Sequence, residues 1–405
     1  MLAAVERFAQ SGGPAIVFDK GRCLRARDRF STCDLCAVHC PAGAVRIDEG
    51  GAAFDPAACA LCGLCLHLCP VGAFAGDTGA NDILRCAAHI DDLAALELIC
   101  PAHPDPAAGP AGIDAAIGHA GCLASLGPSA YISLIACGLS RVAVRLDACA
   151  GCPLGRAAAD IRQTIDKARR VLASWDLAGR IDVVAEGPDE DWQPRPIYPA
   201  SRPPVSRRRL FRRFVSAPTE TIDQALIVDE TPSPAQKQLP AERRRLLAAL
   251  DRLPPAAPQA LCPAPESGQA FVLLGADDGC TACGVCAHIC PTGALQATFD
   301  DESRCFEILF ESRMCTGCEA CLHVCDPAAL HRRRVPLFGE FLTPAPIRIH
   351  SGVFHVCEDC GARFAGEPSA RGLCPPCDFR RQNPFGYRIP SRMLERIGRW
   401  TGPER

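Results

Sequence analysis

The residues most able to do chemistry in this chain are its cysteines, and their spacing repeats. One stretch reads Cys59-x2-Cys62-x2-Cys65-x3-Cys69-Pro70, and another reads Cys280-x2-Cys283-x2-Cys286-x3-Cys290-Pro291. A third, Cys315-x2-Cys318-x2-Cys321-x3-Cys325, is followed by Asp326-Pro327. The copy nearest the N-terminus is incomplete: Cys33-x2-Cys36-x3-Cys40-Pro41, with Phe30 where the first cysteine would stand. Cys23, seven residues upstream of that slot, is the substitute. Three thiolates in one tight loop can each reach one iron of a [4Fe–4S] cube, while the loop's N–H groups offset the cube's negative charge. Zinc knuckles or redox-active CxxC pairs are the competing reading, which the full spacing closed by proline disfavours.

After the last cysteine the copies continue CPAGAV, CPVGAF, CPTGAL and the irregular CDPAAL. The blocks fall into two pairs and resemble two-cluster bacterial-type ferredoxins over about residues 15–80 and 270–335. In such units the fourth thiolate, just before proline, serves the partner motif's cube. The resemblance therefore implies four cubes. The first takes Cys23, Cys33, Cys36 and Cys69, and the second Cys59, Cys62, Cys65 and Cys40. The third takes Cys280, Cys283, Cys286 and Cys325, and the fourth Cys315, Cys318, Cys321 and Cys290. The Cys23 site is the one where an iron could be lost or a ligand altered. His67, His288 and His323 each stand two residues before the last cysteine of their motif, and His39 stands one before. Such a side chain could donate to a cluster sulfur and make its potential pH-dependent. The plainer reading, a surface side chain on the short helix after the loop, is favoured.

Elements must position these loops and link them. Residues 81–187 alternate between apolar runs and helical stretches. Asp82–Cys86 reads as a strand, His119–Leu123 as the end of another, and Arg141–Leu146 and Arg180–Ala185 as two more. Pro128–Gly138 and Arg156–Trp175 read as helices, so a small open α/β sheet is expected. Cys86, Cys122, Cys149 and Cys152 fall where strands should end, which is where open α/β sheets place their sites. The run from Gly121-Cys122 to Cys149-Ala150-Gly151-Cys152 resembles the iron–sulfur delta subunit of methyl-viologen-reducing hydrogenases, a partner of heterodisulfide reductases. The resemblance covers about a hundred residues and implies a [2Fe–2S] cluster. The chain departs from it by lacking a cysteine cluster at the domain start, where it has only Cys86, with Cys100 fourteen residues on. Three readings stay open: a fifth cluster on Cys86, Cys122, Cys149 and Cys152, with Cys100 an alternative ligand; a zinc site or redox-active Cys149–Cys152 pair; or inert buried thiols. Cys137, in an apolar helix, is expected in the core.

Residues 188–268 are rich in proline and carry a basic block of Arg207, Arg208, Arg209, Arg212 and Arg213, and read as a long linker with one short helix at Glu242–Leu253. Cys262 and Cys305 match no motif. Near the end, Cys357-x2-Cys360-Gly361 and Cys374-Pro375-Pro376-Cys377 form two knuckles. They resemble a zinc ribbon and the rubredoxin-like domain of rubrerythrins. Structural zinc is favoured over a single iron, because the tail is arginine-rich and suits docking.

The expected fold class is α+β multidomain: two dicluster ferredoxin-like (βαβ-type) modules, a small open α/β domain between them, and a C-terminal zinc-ribbon-like knuckle pair. The expected boundaries are 1–80, 81–187, 188–268, 269–345 and 346–405. The 28 cysteines belong either to a disulfide scaffold or to a metal protein. The N-terminus has no basic region followed by a long apolar core, and Ala130–Leu139 is about half the length of a membrane span, so a reducing cytoplasm and metal-binding thiols are expected. A net charge of −3 gives no pull towards nucleic acid. There is no GxGxxG after a strand, no Walker loop and no supported Ser/His/Asp set. The expected function is electron transfer by a multicluster relay subunit, with a flavoprotein, hydrogenase, formate dehydrogenase-type molybdoenzyme or heterodisulfide reductase-like partner. The rivals are a redox enzyme with chemistry at Cys149 and Cys152, and an assembly adaptor for a metalloenzyme.

Overall fold

The computed structural model describes residues 16–28, 31–103, 107–187, 191–204, 224–230, 237–255, 259–263 and 271–384. Phe30 and the arginine block at 207–213 lie outside the described residues. Two compact units make up the chain: Met1–Gln269 with Leu337–Gly339, and Ala270–Pro336 with Glu340–Arg405.

The first unit opens with β1 (Val17–Phe18), the helical turns α1 (Leu24–Arg27) and α2 (Leu35–Val38), β2 (Val45–Asp48), β3 (Gly51–Phe54), α3 (Leu64–Leu68) and β4 (Phe74–Ala75). β1 pairs antiparallel with β4, and β2 with β3. Val45, Ala52, Leu66 and Phe74 fill the space between the ladders, with Cys23, Cys36, Cys40, Cys65 and Cys69 packed against them. Phe18 stacks on Phe74 at 4.7 Å between ring centroids. So small a core cannot hold many fixed loops through apolar burial alone, which leaves the thiol-bearing loops to be fixed by what the thiols bind.

The same unit continues with α4 (Ala80–His89), β5 (Ala95–Ile99), β6 (Ala108–Gly109), β7 (Ala115–Gly118), α5 (Pro128–Ala136), β8 (Arg141–Arg145), α6 (Ala157–Leu172), β9 (Ile181–Val184), β10 (Gln193–Pro194), β11 (Ile197–Pro199) and α7 (Ala241–Arg252). Five of the strands form one sheet in the order β11-β7-β5-β8-β9, with every neighbouring pair parallel. Leu96, Leu98, Ile117, Val142 and Val144 are fully buried in it, as expected for parallel strands covered on both faces.

The sequence reading of Asp82–Cys86 as a strand is corrected here, because these residues lie within α4. Ala80, Ile83, Leu84 and Ala87 are among its buried side chains, a helical period that a five-residue window does not reveal. The segment expected as a linker also contributes structure. β11 is an edge strand of the sheet, too short to show a period, and α7 packs beside α5. There Glu242 accepts hydrogen bonds from the Ser129 backbone N–H (2.7 Å) and hydroxyl (2.6 Å) at the α5 N-terminus, where a negative charge is favoured.

The second unit contains β12 (Leu274–Ala276), α8 (Val285–Ile289), β13 (Leu295–Asp300), β14 (Cys305–Phe310), α9 (Ala320–Val324), β15 (Leu330–Arg332), β16 (Ile347–Val353), β17 (His355–Val356), β18 (Arg363–Phe364) and α10 (Pro375–Gln382). β12 pairs with β15, and β17 with β18. β13, β14 and β16 make a three-stranded antiparallel sheet whose inner face carries Phe306, Ile308 and Phe310. The tail segment at 347–353 is therefore hydrogen-bonded into the second ferredoxin-like module. Among the described residues, no helix is long and apolar enough to cross a membrane.

Candidate metal centres

The loops that carry the complete motifs share one backbone device. Leu61 (φ 52°) and Gly63 (φ 77°), Ala282 (φ 56°) and Gly284 (φ 68°), and Gly317 (φ 68°) and Glu319 (φ 60°) occupy equivalent positions, all left-handed. Leucine, alanine and glutamate rarely adopt such φ values, so the loops hold strain of the kind that functional sites retain. The strain turns N–H groups inward. The Leu61 N–H reaches the Cys59 sulfur at 3.4 Å, Gly317 N–H reaches Cys315 at 3.4 Å, and Ala73 N–H reaches Cys69 at 3.2 Å. In the incomplete repeat, Asp34 sits at φ −138° and the device is not repeated there.

The thiols gather across repeats. Burial pushes the Cys33 thiol up, and Cys69 and Cys23 raise it further. Cys36 is pushed up to about 12 by burial, with Cys69, Cys33 and Cys23 as its charged neighbours. Cys62, pushed up to about 11 by burial, and Cys59, raised in the same way, are each raised further by Cys40. In the second unit, Cys280 and Cys286 lie with Cys283 and Cys325, and Cys318 and Cys321 with Cys315 and Cys290. Thiols of each repeat thus lie near a thiol of the other repeat of its pair. Desolvation and mutual repulsion resist ionisation of these thiols, while the inward N–H groups favour it. A bound cationic centre resolves the conflict, and the donor set fits an iron–sulfur cube.

The recurring histidines differ. His288 is exposed, as the surface reading expects, and His39 and His323 are half-buried. His67 is buried, contrary to that reading. Its Nε2 donates to the Ala124 carbonyl at 3.0 Å, and burial lowers its pKa to about 4, so it is neutral near pH 7.

In the α/β domain, thiols meet at the carboxyl ends of three strands. Cys100 follows β5, Cys122 lies beyond β7, and Cys149 and Cys152 follow β8 in and after a 3-10 turn at Asp147–Gly151. β5 and β8 are sheet neighbours although β7 separates them in sequence, so this edge is a topological switch point, the usual ligand position in such sheets. Burial raises Cys100, with Cys152 as a charged neighbour. Burial pushes Cys122 up to about 12, with Cys62, Cys100 and Cys149 as neighbours. Cys149 is pushed up to about 11 by burial, then by Cys100 and Cys152. Cys86 stands apart from this set: it is on α4, fully buried, with its thiol 3.9 Å from the Pro199 carbonyl and Asp82 as its charged neighbour. The fourth thiol at this edge is Cys100, which the sequence reading held only as an alternative. The signal for it was the run Leu93–Ile99, apolar except for Glu97, ending in Cys100-Pro101.

Beneath this edge lies a charged cluster that sequence reasoning missed. Arg145, on β8, and Glu97, on β5, are fully buried and joined at 2.7 Å. Arg145 also donates to both Asp147 oxygens (2.8 and 2.6 Å) and stacks over Trp192 at 4.1 Å. Glu97 accepts from Arg195 Nε at 2.5 Å, and His103 Nε2 lies 2.9 Å from Asp147. The cluster ties β5, β8 and the 191–204 segment together directly below Cys100 and Cys149.

In the tail, the ligand atoms of Cys357, Cys360, Cys374 and Cys377 all lie within 4.8 Å of one another. Cys360 and Cys374 are 3.8 Å apart, about the edge of a tetrahedron built on metal–sulfur bonds near 2.3 Å. The Cys374 N–H donates to the Cys357 sulfur at 3.3 Å and is the main cause of that thiol's lowered pKa. Together they form a four-cysteine site suited to one metal ion.

Comparison with known proteins agrees with the motif geometry. The family model of the 4Fe-4S dicluster domain matches residues 30–73 and again residues 279–329. Two segments of the chain are thus similar to the 4Fe-4S dicluster domain. Such domains point to electron transfer through iron–sulfur clusters. No curated protein matches the chain.

Proposed function

We propose that this protein is a one-electron relay with five iron–sulfur centres and a structural metal, working with redox partner proteins. The crossed thiol groups carry the reading. Cys23, Cys33, Cys36 and Cys69 would hold one [4Fe–4S] cluster, and Cys40, Cys59, Cys62 and Cys65 a second. Cys280, Cys283, Cys286 and Cys325 would hold a third, and Cys290, Cys315, Cys318 and Cys321 a fourth. Cys100, Cys122, Cys149 and Cys152 would hold a fifth centre, which displaces Cys86 from the expected ligand set. When bound, such clusters supply one-electron chemistry without proton or group transfer. The chain's own part is to fix the thiolates, direct N–H groups at them and exclude water.

Two observations support this over chemistry at a Cys149–Cys152 pair. Reactive thiols need lowered pKa values, and Cys149 is pushed the other way, to about 11, by burial. Cys100 and Cys122 also complete a four-thiol set, which a dithiol does not need. The four-cysteine tail is proposed to hold zinc as a structural ion. The donor and acceptor are proposed to be flavo-, hydrogenase- or molybdoenzyme-type proteins.

The test is iron, acid-labile sulfide and zinc content of anaerobically purified protein, with low-temperature EPR after reduction. About sixteen cubane irons, further iron in the α/β domain and one zinc are expected. Little iron and several zincs would overturn the relay and favour an adaptor.

A further inference from the structure

The second repeat differs from the other three in how it is covered. Leu64, Leu66, His67 and Leu68, the residues around its third cysteine, are all buried. At corresponding places elsewhere, Val285 is 42% exposed and His288 is exposed. In the first repeat Val38 is 59% exposed. Part of the cover over the second repeat is the 3-10 turn Leu123–Ser125, which begins directly after Cys122 and whose three residues are buried.

Three contacts fasten this turn, and a hydrogen bond from His119 to the same Thr78 carbonyl braces them. His67 Nε2 donates to the Ala124 carbonyl at 3.0 Å. The Thr78 carbonyl, just beyond the ferredoxin module, accepts from the Ser125 hydroxyl (2.7 Å) and from His119 Nε2 (2.9 Å). At Gly63 the approach is closest, since an added Cβ would stand 2.4 Å from Ser125 Cβ and 2.8 Å from its Cα. Gly284 is the same motif position with nearly the same left-handed φ, and there the nearest neighbour would be 3.8 Å away. The left-handed turn explains both glycines; only at Gly63 does a neighbour also forbid a side chain.

We infer that Gly63 and His67 are positioning residues that clamp the loop of the second repeat, Cys59–Cys69, against the turn that follows Cys122, so that this repeat is held beside the α/β-domain thiols. The meaning of this clamp rests on the fifth-centre reading; its geometry does not.

The experiment uses full-length, anaerobically prepared protein as wild type, Gly63→Ala, Gly284→Ala, His67→Ala and His67→Gln. The first readout is hydrogen exchange over residues 122–126, whose turn is closed by Ser125 N–H to Cys122 and Leu126 N–H to Leu123 bonds. Gly63→Ala and His67→Ala are each expected to speed exchange there about tenfold or more. Gly284→Ala, which carries the same backbone strain, leaves it at the wild-type rate, and His67→Gln, which keeps an N–H donor, restores most of the protection. Wild-type exchange in both Gly63→Ala and His67→Ala would overturn the clamp. The second readout is the EPR line shape after reduction. Magnetic interaction between a dicluster site and the α/β-domain centre is expected in wild type and Gly284→Ala and is weakened in Gly63→Ala. Line shapes identical in Gly63→Ala and wild type, with α/β-domain iron present in both, would overturn the placing of the second repeat beside the α/β-domain thiols. If wild type lacks iron in the α/β domain while the exchange pattern holds, the clamp stands and the fifth-centre reading falls.

Discussion

Replacing Arg145 by methionine tests whether the buried charges under the α/β-domain thiols hold the sheet together. Glu97 and Asp147 carry two negative charges, and Arg145 and Arg195 two positive ones, so the described cluster is neutral as it stands. Arg145→Met leaves Glu97 with Arg195 as its cationic partner, strips the largely buried Asp147 carboxylate of its guanidinium partner, and also removes the stacking over Trp192. Breaking one partner of a buried pair costs about 3–5 kcal/mol, and methionine fills much of the volume, so little of the loss is due to a cavity. That is a large share of the about 5–15 kcal/mol that stabilises an ordinary domain. Because the chain has two compact units, a global midpoint is a poor measure, and hydrogen exchange along β5 and β8 is the better assay. Opening of Leu96, Leu98, Val142 and Val144 should become roughly 100- to 3,000-fold more frequent, at about 1.4 kcal/mol per tenfold. The dicluster domain of the second unit serves as the internal control and should not change. A loss below about 1 kcal/mol would refute the view that this cluster fastens β5 to β8.

Three further outcomes are expected. Cys23→Ser should lower iron by about one to four atoms per chain, or convert one cubane EPR signal to a three-iron type; an unchanged content of about sixteen cubane irons would exclude Cys23 as a ligand. Cys357→Ser should remove one metal equivalent and the exchange protection of β17 and β18 while leaving cubane iron intact, and retention of the metal would contradict a single tetrahedral site. His67 has a folded pKa lowered to about 4 by burial, against 6.5 when free. The unfolded chain therefore binds the proton first as pH falls, so the stability contributed by neutral His67 is full above pH 6.5 and declines towards pH 4, by at most about 3 kcal/mol. Unfolding followed at pH 7 and pH 5 should show this decline in wild type and less of it in His67→Gln; equal declines would place the effect elsewhere.

The sequence by itself determined the four cluster motifs, because ligand spacing is local: cysteines three and four positions apart in one loop converge whatever surrounds them. The same holds for the Cys357–Cys377 knuckles. It also marked the helices at 128–136, 157–172 and 241–252 and the strands at 141–145 and 181–184, whose apolar patterns are long enough to show a period. Tertiary structure decided what depends on pairing between distant segments. Asp82–Cys86 is helical because Ala80 and Ala87, outside that window, complete its buried face. Cys100 replaces Cys86 at the switch point because β5 lies beside β8, a neighbour relation that no local pattern encodes. The Arg145–Glu97 cluster joins two strands 48 residues apart. His67 and its counterparts occupy similar motif positions, yet His67 is buried where its repeat docks against the Leu123–Ser125 turn and the helices beside it. Local spacing sets which atoms a loop can present, and long-range packing sets what those atoms face.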